Sequence, residues 1–358
     1  MVLEKRLDSQ LRSVLPPSWP ALLAGISEID ESKGWWRGKF QPPPSWLAGL
    51  RKRTIAQSAK ASIGIDWVGF PRRGVGTALA MTPAQAEELR RYSAAGYAQI
   101  LKAIFDGREQ RPLSRELLLE FHTGLLRYSP GDRGHRGAYR TLPDRSAFFP
   151  RRSMESIALR PSEPDSIERE MDALIAWTNA RLNAGKFHPL FVVAGFLLEF
   201  LAIRPFAGGN GRTSRLLTNL LLLRSGYSYL PYASLEKAIA ERKAEYYLAL
   251  RKSQASRHLP PTDMGPWLTA FLDAMRAQAR ELKGLLAGHP PESRLSGNQA
   301  RVLALLVRHR EITNRMVSGE LRISRETAKQ VLNRLVALNL LTRTGAGRAV
   351  RYRRAEPT

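Results

Sequence analysis

The sequence predicts a mainly α-helical protein: a helical bundle carrying a small β-hairpin, followed by a C-terminal module that ends in a β-ribbon. Three observations predict it. From Thr82 to about Gly288 apolar residues recur at helical spacing, and few stretches alternate as strands do. Helix-start signals stand at Thr82-Pro83, Ser114, Pro164 and Pro189, each a capping side chain or an N1 proline. The chain has 358 residues, 43% hydrophobic and 25% charged, enough for two or three domains with a buried core.

Taken in order, residues 1–90 combine Pro16-Pro17 and Pro42-Pro43-Pro44 with Trp19, Trp35, Trp36, Trp46 and Trp67. That mix predicts helical and extended segments anchored by buried aromatics. Residues 91–288 form the helical domain. Within it, Gly137 to Leu159 intersperses Tyr139, Leu142, Phe148, Phe149, Ile157 and Leu159 with Gly, Pro and Arg, the composition of a hairpin. Gly288-His289-Pro290-Pro291 reads as a linker, and residues 293–358 as a separate module.

Charge narrows the partners. Lys and Arg number 56 against 32 Asp and Glu, a formal +24, and a surplus of that size gathers polyanions. Nucleic acid ranks first and a membrane surface second. The absence of cysteine excludes disulfides and thiolate chemistry. The start, Met1 to Arg6, lacks the order of a secretory leader, and the apolar run Pro189 to Ile203 is broken by Glu199 and shorter than the roughly 20 residues a bilayer requires. The expectation is a cytoplasmic protein with no membrane partner.

In the C-terminal module, Asn298 to Arg308 reads as a helix, Glu311-Ile312-Thr313 as a short strand, Asn314 to Leu321 as a second helix, and Ser324 as the cap of a third. Ala328, Val331, Leu332, Leu335 and Leu338 fall on one face of that third helix. Arg325, Thr327, Lys329, Gln330, Asn333 and Arg334 are left on the polar side. Leu340 to Arg343, a Gly345-Ala346-Gly347 tip and Arg348 to Arg353 complete a basic ribbon. From Ser293 to Thr358 there are 14 Lys and Arg against 4 acids. This order of elements resembles the winged helix-turn-helix family. The resemblance implies double-stranded DNA as ligand, the third helix in the major groove, Arg348 and Arg351 as wing contacts, and a homodimer on two half-sites. The competing reading is a docking module with solvated charges.

Arg204-Pro205-Phe206-Ala207-Gly208-Gly209-Asn210-Gly211-Arg212-Thr213-Ser214-Arg215 joins an apolar helix to another beginning near Thr213. Glycines that permit close approach, free amides at a helix start and two arginines suit a phosphate. The run resembles the signature of the Fic family: His-Pro-Phe, any residue, Asp or Glu, Gly-Asn-Gly-Arg, any two residues, Arg. Phe121-His122, Gly134 to Arg140, Phe187 to Leu190, and Tyr246-Tyr247 with Leu250 extend the similarity over about residues 114–250. The resemblance implies a helical bundle that binds a nucleotide, commonly ATP, and transfers AMP to a protein hydroxyl. It also implies a hairpin flap, here Arg140 to Ile157, that aligns the target.

Two chemical residues of that signature are missing. Arg204 stands at the catalytic His position, and an arginine cannot serve as a base. Gly208 stands at the acidic, Mg-holding position and offers no ligand atom. What remains is an anion cradle of Arg204, Gly209, Asn210, Gly211, Arg212 and Arg215. The resemblance assigns Asn210 and Arg212 to phosphates, and Arg215 to a terminal phosphate or an inhibitory glutamate. The stretch that most nearly matches the inhibitory motif, Ser58 to Gly64, has no Glu.

The expectation is therefore a DNA-binding regulator, not an enzyme, associated with a bacterial nucleoid when bound to DNA, whose cradle takes ATP or another phosphate-bearing ligand without Mg. The alternative is a protein adenylyltransferase using another base, such as His135. His122 and His188 read as core or helix-boundary residues, His135 as either ligand contact or solvated side chain, and Arg204 as open to an ion pair with a carboxylate such as Glu199.

Overall fold

The computed structural model describes residues 2–12, 19–38, 44–66, 83–107, 111–144, 161–255, 263–287, 296–338, 340–345 and 347–355. Two compact units divide them. One comprises Met1–Lys33 and Arg51–Glu281, the other Gly34–Leu50 and Leu282–Thr358.

The helices of the first part of the chain are α1 (Val2–Arg12), α2 (Trp19–Arg37), α3 (Pro44–Asp66), α4 (Pro83–Phe105), α5 (Arg115–Leu125), α6 (Pro164–Ala184), α7 (Pro189–Ile203), α8 (Asn210–Arg224), α9 (Leu235–Glu241), α10 (Lys243–Ala255) and α11 (Gly265–Ala287). Short 3-10 turns lie at Pro130–His135 and Leu230–Tyr232. The expected starts hold where they are described. The Ser114 side chain accepts from Leu117 N, and Pro164 and Pro189 open α6 and α7. The start at Thr82 lies outside the described residues, although its Pro83 begins α4.

The hub of the larger unit is α7. Every residue from Leu190 to Ile203 is buried, so the helix is apolar on all sides and needs a partner on each. It packs against α6, α8, α10 and α1. The one charge on it, Glu199, is satisfied by Arg6 of α1 at 2.6 Å. Asp8 of α1 takes bonds from Trp177 Nε1 and Arg181 of α6, and Glu28 of α2 takes bonds from Arg276 and Arg280 of α11. These polar clips fix the register of packing supplied mainly by apolar burial, worth about 1.5–3 kcal/mol per large side chain.

The extended segments expected in residues 1–90 are not found among the described residues, which are helical. On α2 the residues Leu22, Gly25, Ile29 and Ser32 form a buried face at helical spacing. Its tryptophans fall off that face: Trp19 and Trp36 are half-buried and Trp35 is 40% exposed. Of the proline clusters, Pro44 opens α3, and Pro16, Pro17, Pro42 and Pro43 lie outside the described residues. Trp67, the flap from residue 145 onward with Phe148, Phe149, Ile157 and Leu159, and the linker 288–291 lie outside the described residues. The flap's near end, up to Asp144, is irregular.

The second unit holds α12 (Gly297–Arg308), α13 (Asn314–Leu321), α14 (Arg325–Ala337) and an antiparallel ribbon of β1 (Leu341–Thr344) and β2 (Arg351–Arg354). An isolated bridge pairs Ile312 with Tyr352. Each helix carries its own cap: a Ser296–Gln299 capping box, Thr313 on Met316 N and Ser324 on Thr327 N. Val302, Leu305, Ile312, Val317, Leu321, Ala328, Val331, Leu332, Leu335, Leu341 and Tyr352 close one core. The predicted inner face of the third helix is the observed one, with Leu338 at its rim.

Candidate functional site

The motif loop leaves α7 through Arg204, which adopts the left-handed conformation (φ 51°) as the helix C-cap, an uncommon place for a residue with a side chain. It enters α8 through Gly209, left-handed at φ 74° and with no side-chain cap, so the first amides of α8 are not capped by the chain's own N-cap side chain. Asn210 braces the turn. Its Oδ1 accepts from Phe206 N at 3.0 Å and its Nδ2 donates to Phe206 O at 2.7 Å, so both amide ends hold the loop.

His122 supports the loop from below. Its ring stacks on Phe206, with centroids 3.7 Å apart. Gly137 N–H donates to Nδ1 at 3.0 Å, which leaves the proton on Nε2 to be donated to Gly208 O at 3.0 Å. Burial, opposed by the bond to Gly208, pushes its pKa down to about 4. His122 is thus a neutral strut. His188 caps α7, accepting from Leu190 N, and reaches Asp30 at 2.9 Å through Nε2. Both are core or boundary residues, as expected.

Arg204 is 2% exposed, and its Nε donates to Asp144 Oδ2 at 2.6 Å. The carboxylate candidate named from sequence, Glu199, is instead bound to Arg6 of α1. Arg140 backs the turn: its backbone N–H donates to Pro205 O, and its guanidinium donates to the carbonyls of Arg204, Ile203, Leu142 and Ser162. A cation on the last carbonyls of α7 complements the helix dipole.

The two remaining arginines already face an anion. Arg215 Nη2 donates to Asp66 Oδ1 at 2.9 Å and Arg212 Nε lies 3.6 Å from Asp66 Oδ2. Arg215 also donates to Ser62 Oγ and Ser62 O, both at 2.8 Å. A Cβ on Gly211 would stand 2.4 Å from Asp66 Oδ1, so the missing side chain admits the carboxylate to the first turn of α8. The sequence shows no inhibitory Glu for Arg215, and the acid that meets it in the fold is an Asp. The stretch Ser58 to Gly64 does lie in the helix facing Arg215, and the acid follows two residues after it. Lys243 and Tyr247 hold this end of α3 by Gly64 O and Ile65 O. Beneath, Glu236 collects Tyr97 Oη, Asn219 Nδ2 and Ser234 Oγ in a buried network, and burial together with Glu236 raises the Tyr97 pKa far above its ordinary value.

Beside the loop, His135 Nε2 pairs with Asp132 Oδ1 at 3.1 Å, while Asp132 Oδ2 accepts from Ser129 Oγ at 2.6 Å. The His135 ring lies against Gly208: its Cε1 would be 3.6 Å from a Cβ there. These residues do not suit the divalent cation that the family resemblance implies. Position 208 has no oxygen ligand, and the nearby carboxylates Asp66, Asp132 and Asp144 are engaged by arginines or by His135 and Ser129. Among the described residues no group of three His, Asp or Glu could hold a metal ion. The sequence offered no signal for the Asp66 and Asp144 pairings, which join residues 149 and 60 positions apart.

The second group of predicted residues falls on the other unit. Arg325, Lys329, Gln330, Asn333 and Arg334 are exposed on α14, and Thr327 is half-buried with its hydroxyl 2.8 Å from Ser324 Oγ. Glu326 is the one acid on that helix. Arg351 on β2 is exposed and lies 3.6 Å from Glu311, which also pairs with Arg353. Arg348 belongs to the turn Gly347–Ala349, and its side chain lies outside the described residues. No helix among the described residues is long and apolar enough to cross a membrane.

Residues 112–222 match the Fic/DOC family. Over 67 residues the chain is 42% identical to the protein adenylyltransferase Fic of Aedes aegypti, a segment covering 19% of this chain and 13% of that protein. Over 91 residues it is 34% identical to the protein of the same name from Drosophila melanogaster, covering 25% and 17%. The matches thus span less than a fifth of those relatives' length. Among solved structures, a Fic family protein from Desulfovibrio desulfuricans G20 superposes with a TM-score of 0.53 at 22% identity, covering 95% of this chain and 97% of that one. Fic-1 (aa134–508) of C. elegans gives 0.56 at 20% identity, covering 75% and 73%. These two share the fold.

Proposed function

We propose, on the premise that residues 112–222 form a Fic/DOC family domain, that this chain is a DNA-binding regulator whose Fic domain holds a phosphate-bearing ligand and does not turn it over. One observation carries the DNA half. The helix Arg325–Ala337 buries Ala328, Val331, Leu332 and Leu335 and turns Arg325, Lys329, Gln330, Asn333 and Arg334 outward, beside a ribbon rich in arginine. Read as a winged helix, that face suits base edges and phosphates, and two copies would occupy two half-sites. A nucleotide such as ATP is the proposed occupant of the cradle, where a bacterial cytoplasm would supply it.

The silent-cradle half is supported by Arg204. A guanidinium clamped to Asp144 neither accepts a proton nor vacates the position for a base that would. Asp66 supports a regulated cradle, since a phosphate must displace this carboxylate to reach Arg212 and Arg215. A relative is named a protein adenylyltransferase, and the pairing of Asp132 with His135 favours AMP transfer as the second reading. Footprinting of the full chain on genomic fragments tests the first reading: a protected palindrome supports it, and uniform protection lost with salt removes it. Label transfer from ATP to protein, absent in the first reading, is the mark of the second.

A further inference from the structure

The mismatch between the cradle and a divalent cation has a counterpart in what fills the space. Gly208 is where a metal-holding side chain would project, and the imidazole of His135 lies in its path. That ring is oriented. Asp132 takes Nε2, and Ser129 fixes the other oxygen of Asp132, so the ring cannot turn without breaking its hydrogen bond to an anchored carboxylate. Its second nitrogen, Nδ1, is shielded from solvent and has no hydrogen-bond partner among the described residues. A shielded polar atom without a partner is costly unless something satisfies it.

We infer that the loop takes its phosphate-bearing ligand without a divalent cation, and that His135, aligned by Asp132, makes the phosphate contact that a metal-bridging side chain at position 208 would otherwise make. This rests on the reading of the loop as an anion cradle. That reading has its own support in this chain: a carboxylate, Asp66, already sits on the same helix start between Arg212 and Arg215. The ligand class is a nucleoside polyphosphate or another phosphate ester. His135 is a binding residue here, and Asp132 its positioning residue.

The test is calorimetric titration of the full chain with ATP, in EDTA and then in excess Mg, for the wild type, Asp66→Asn, His135→Gln and Asp132→Asn. The expected result is binding in EDTA that Mg changes by less than about twofold, with His135→Gln weakening it about tenfold, the scale of one charge-assisted hydrogen bond. Asp132→Asn is expected to weaken it by a smaller factor, since the contact survives and only its alignment is lost. Binding that appears only with Mg, or that is unchanged in both His135→Gln and Asp132→Asn, overturns the inference and leaves the cradle reading standing. Absence of ATP binding in both the wild type and Asp66→Asn overturns the cradle reading and this inference together.

Discussion

Arg204 and Asp144 form an ion pair sealed from water: 2.6 Å apart, with 3% and 10% of their side chains exposed. Two charges taken out of water depend on each other, and removing one strands the other. Asp144→Ala is therefore expected to cost about 3–5 kcal/mol, the range for breaking a buried pair, in chemical denaturation. Arg204→His alone is expected to give no AMP transfer in a radiolabel assay, because position 208 still lacks a carboxylate. Label appearing in that single variant would show that the arginine is the whole of the defect.

Asp66 gives a prediction of opposite character. Asp66→Asn keeps the shape and removes the charge that faces Arg212 and Arg215, which is expected to cost about 1.5–3 kcal/mol. Inorganic phosphate should return part of that loss. In thermal unfolding the variant's midpoint is expected to climb with phosphate more steeply than the wild type's, because an anion that binds only the folded chain stabilises it by mass action. Parallel curves for the two proteins would mean that phosphate does not compete with this carboxylate.

His122 sets a pH dependence. Burial holds its pKa at about 4 against 6.5 when unfolded, so between these values the unfolded chain takes up a proton that the folded chain refuses. Stability from this group is complete above about pH 6.5 and declines as the solution is acidified toward 4, by about 3 kcal/mol in all. An imidazole resonance for His122 titrating near 6.5 in the folded protein would contradict this.

If the second unit binds DNA as proposed, direct base contacts and backbone contacts separate by their effect on specificity. Arg325→Ala and Arg334→Ala are each expected to cost about 1–3 kcal/mol on a selected site and to relax the preference at particular base pairs. Arg351→Ala is expected to weaken all sequences alike and to lower the salt slope by about one. Gel-shift titrations on matched and scrambled sites distinguish the two; identical losses on both for Arg325→Ala would argue against a recognition helix.

What the sequence made legible is local. Ser114, Pro164, Pro189 and Ser324 start helices because a capping oxygen or a fixed φ acts within one turn. The inner face of α14 was legible because burial imposes a 3.6-residue period. Pairings across the fold were not. Asp66, Asp144 and Asp30 each meet a motif or landmark residue far along the chain, and nothing in their neighbours marks them. The same limit explains the tryptophans of α2: aromatic content suggested burial, but only the rotation of the helix decides which ring turns inward.

The helix Pro189–Ile203 carries a consequence for biosynthesis. It leaves the ribosome before α8 and α10, two of the helices that cover it, and until residue 255 has been made it has no complete shelter. A greasy rod of four turns in a half-finished chain is a sticky intermediate. Truncations ending between residues 203 and 255 should consequently pellet with aggregates, and nascent chains stalled there should recruit holdase chaperones, whatever ligand or operator the finished protein serves.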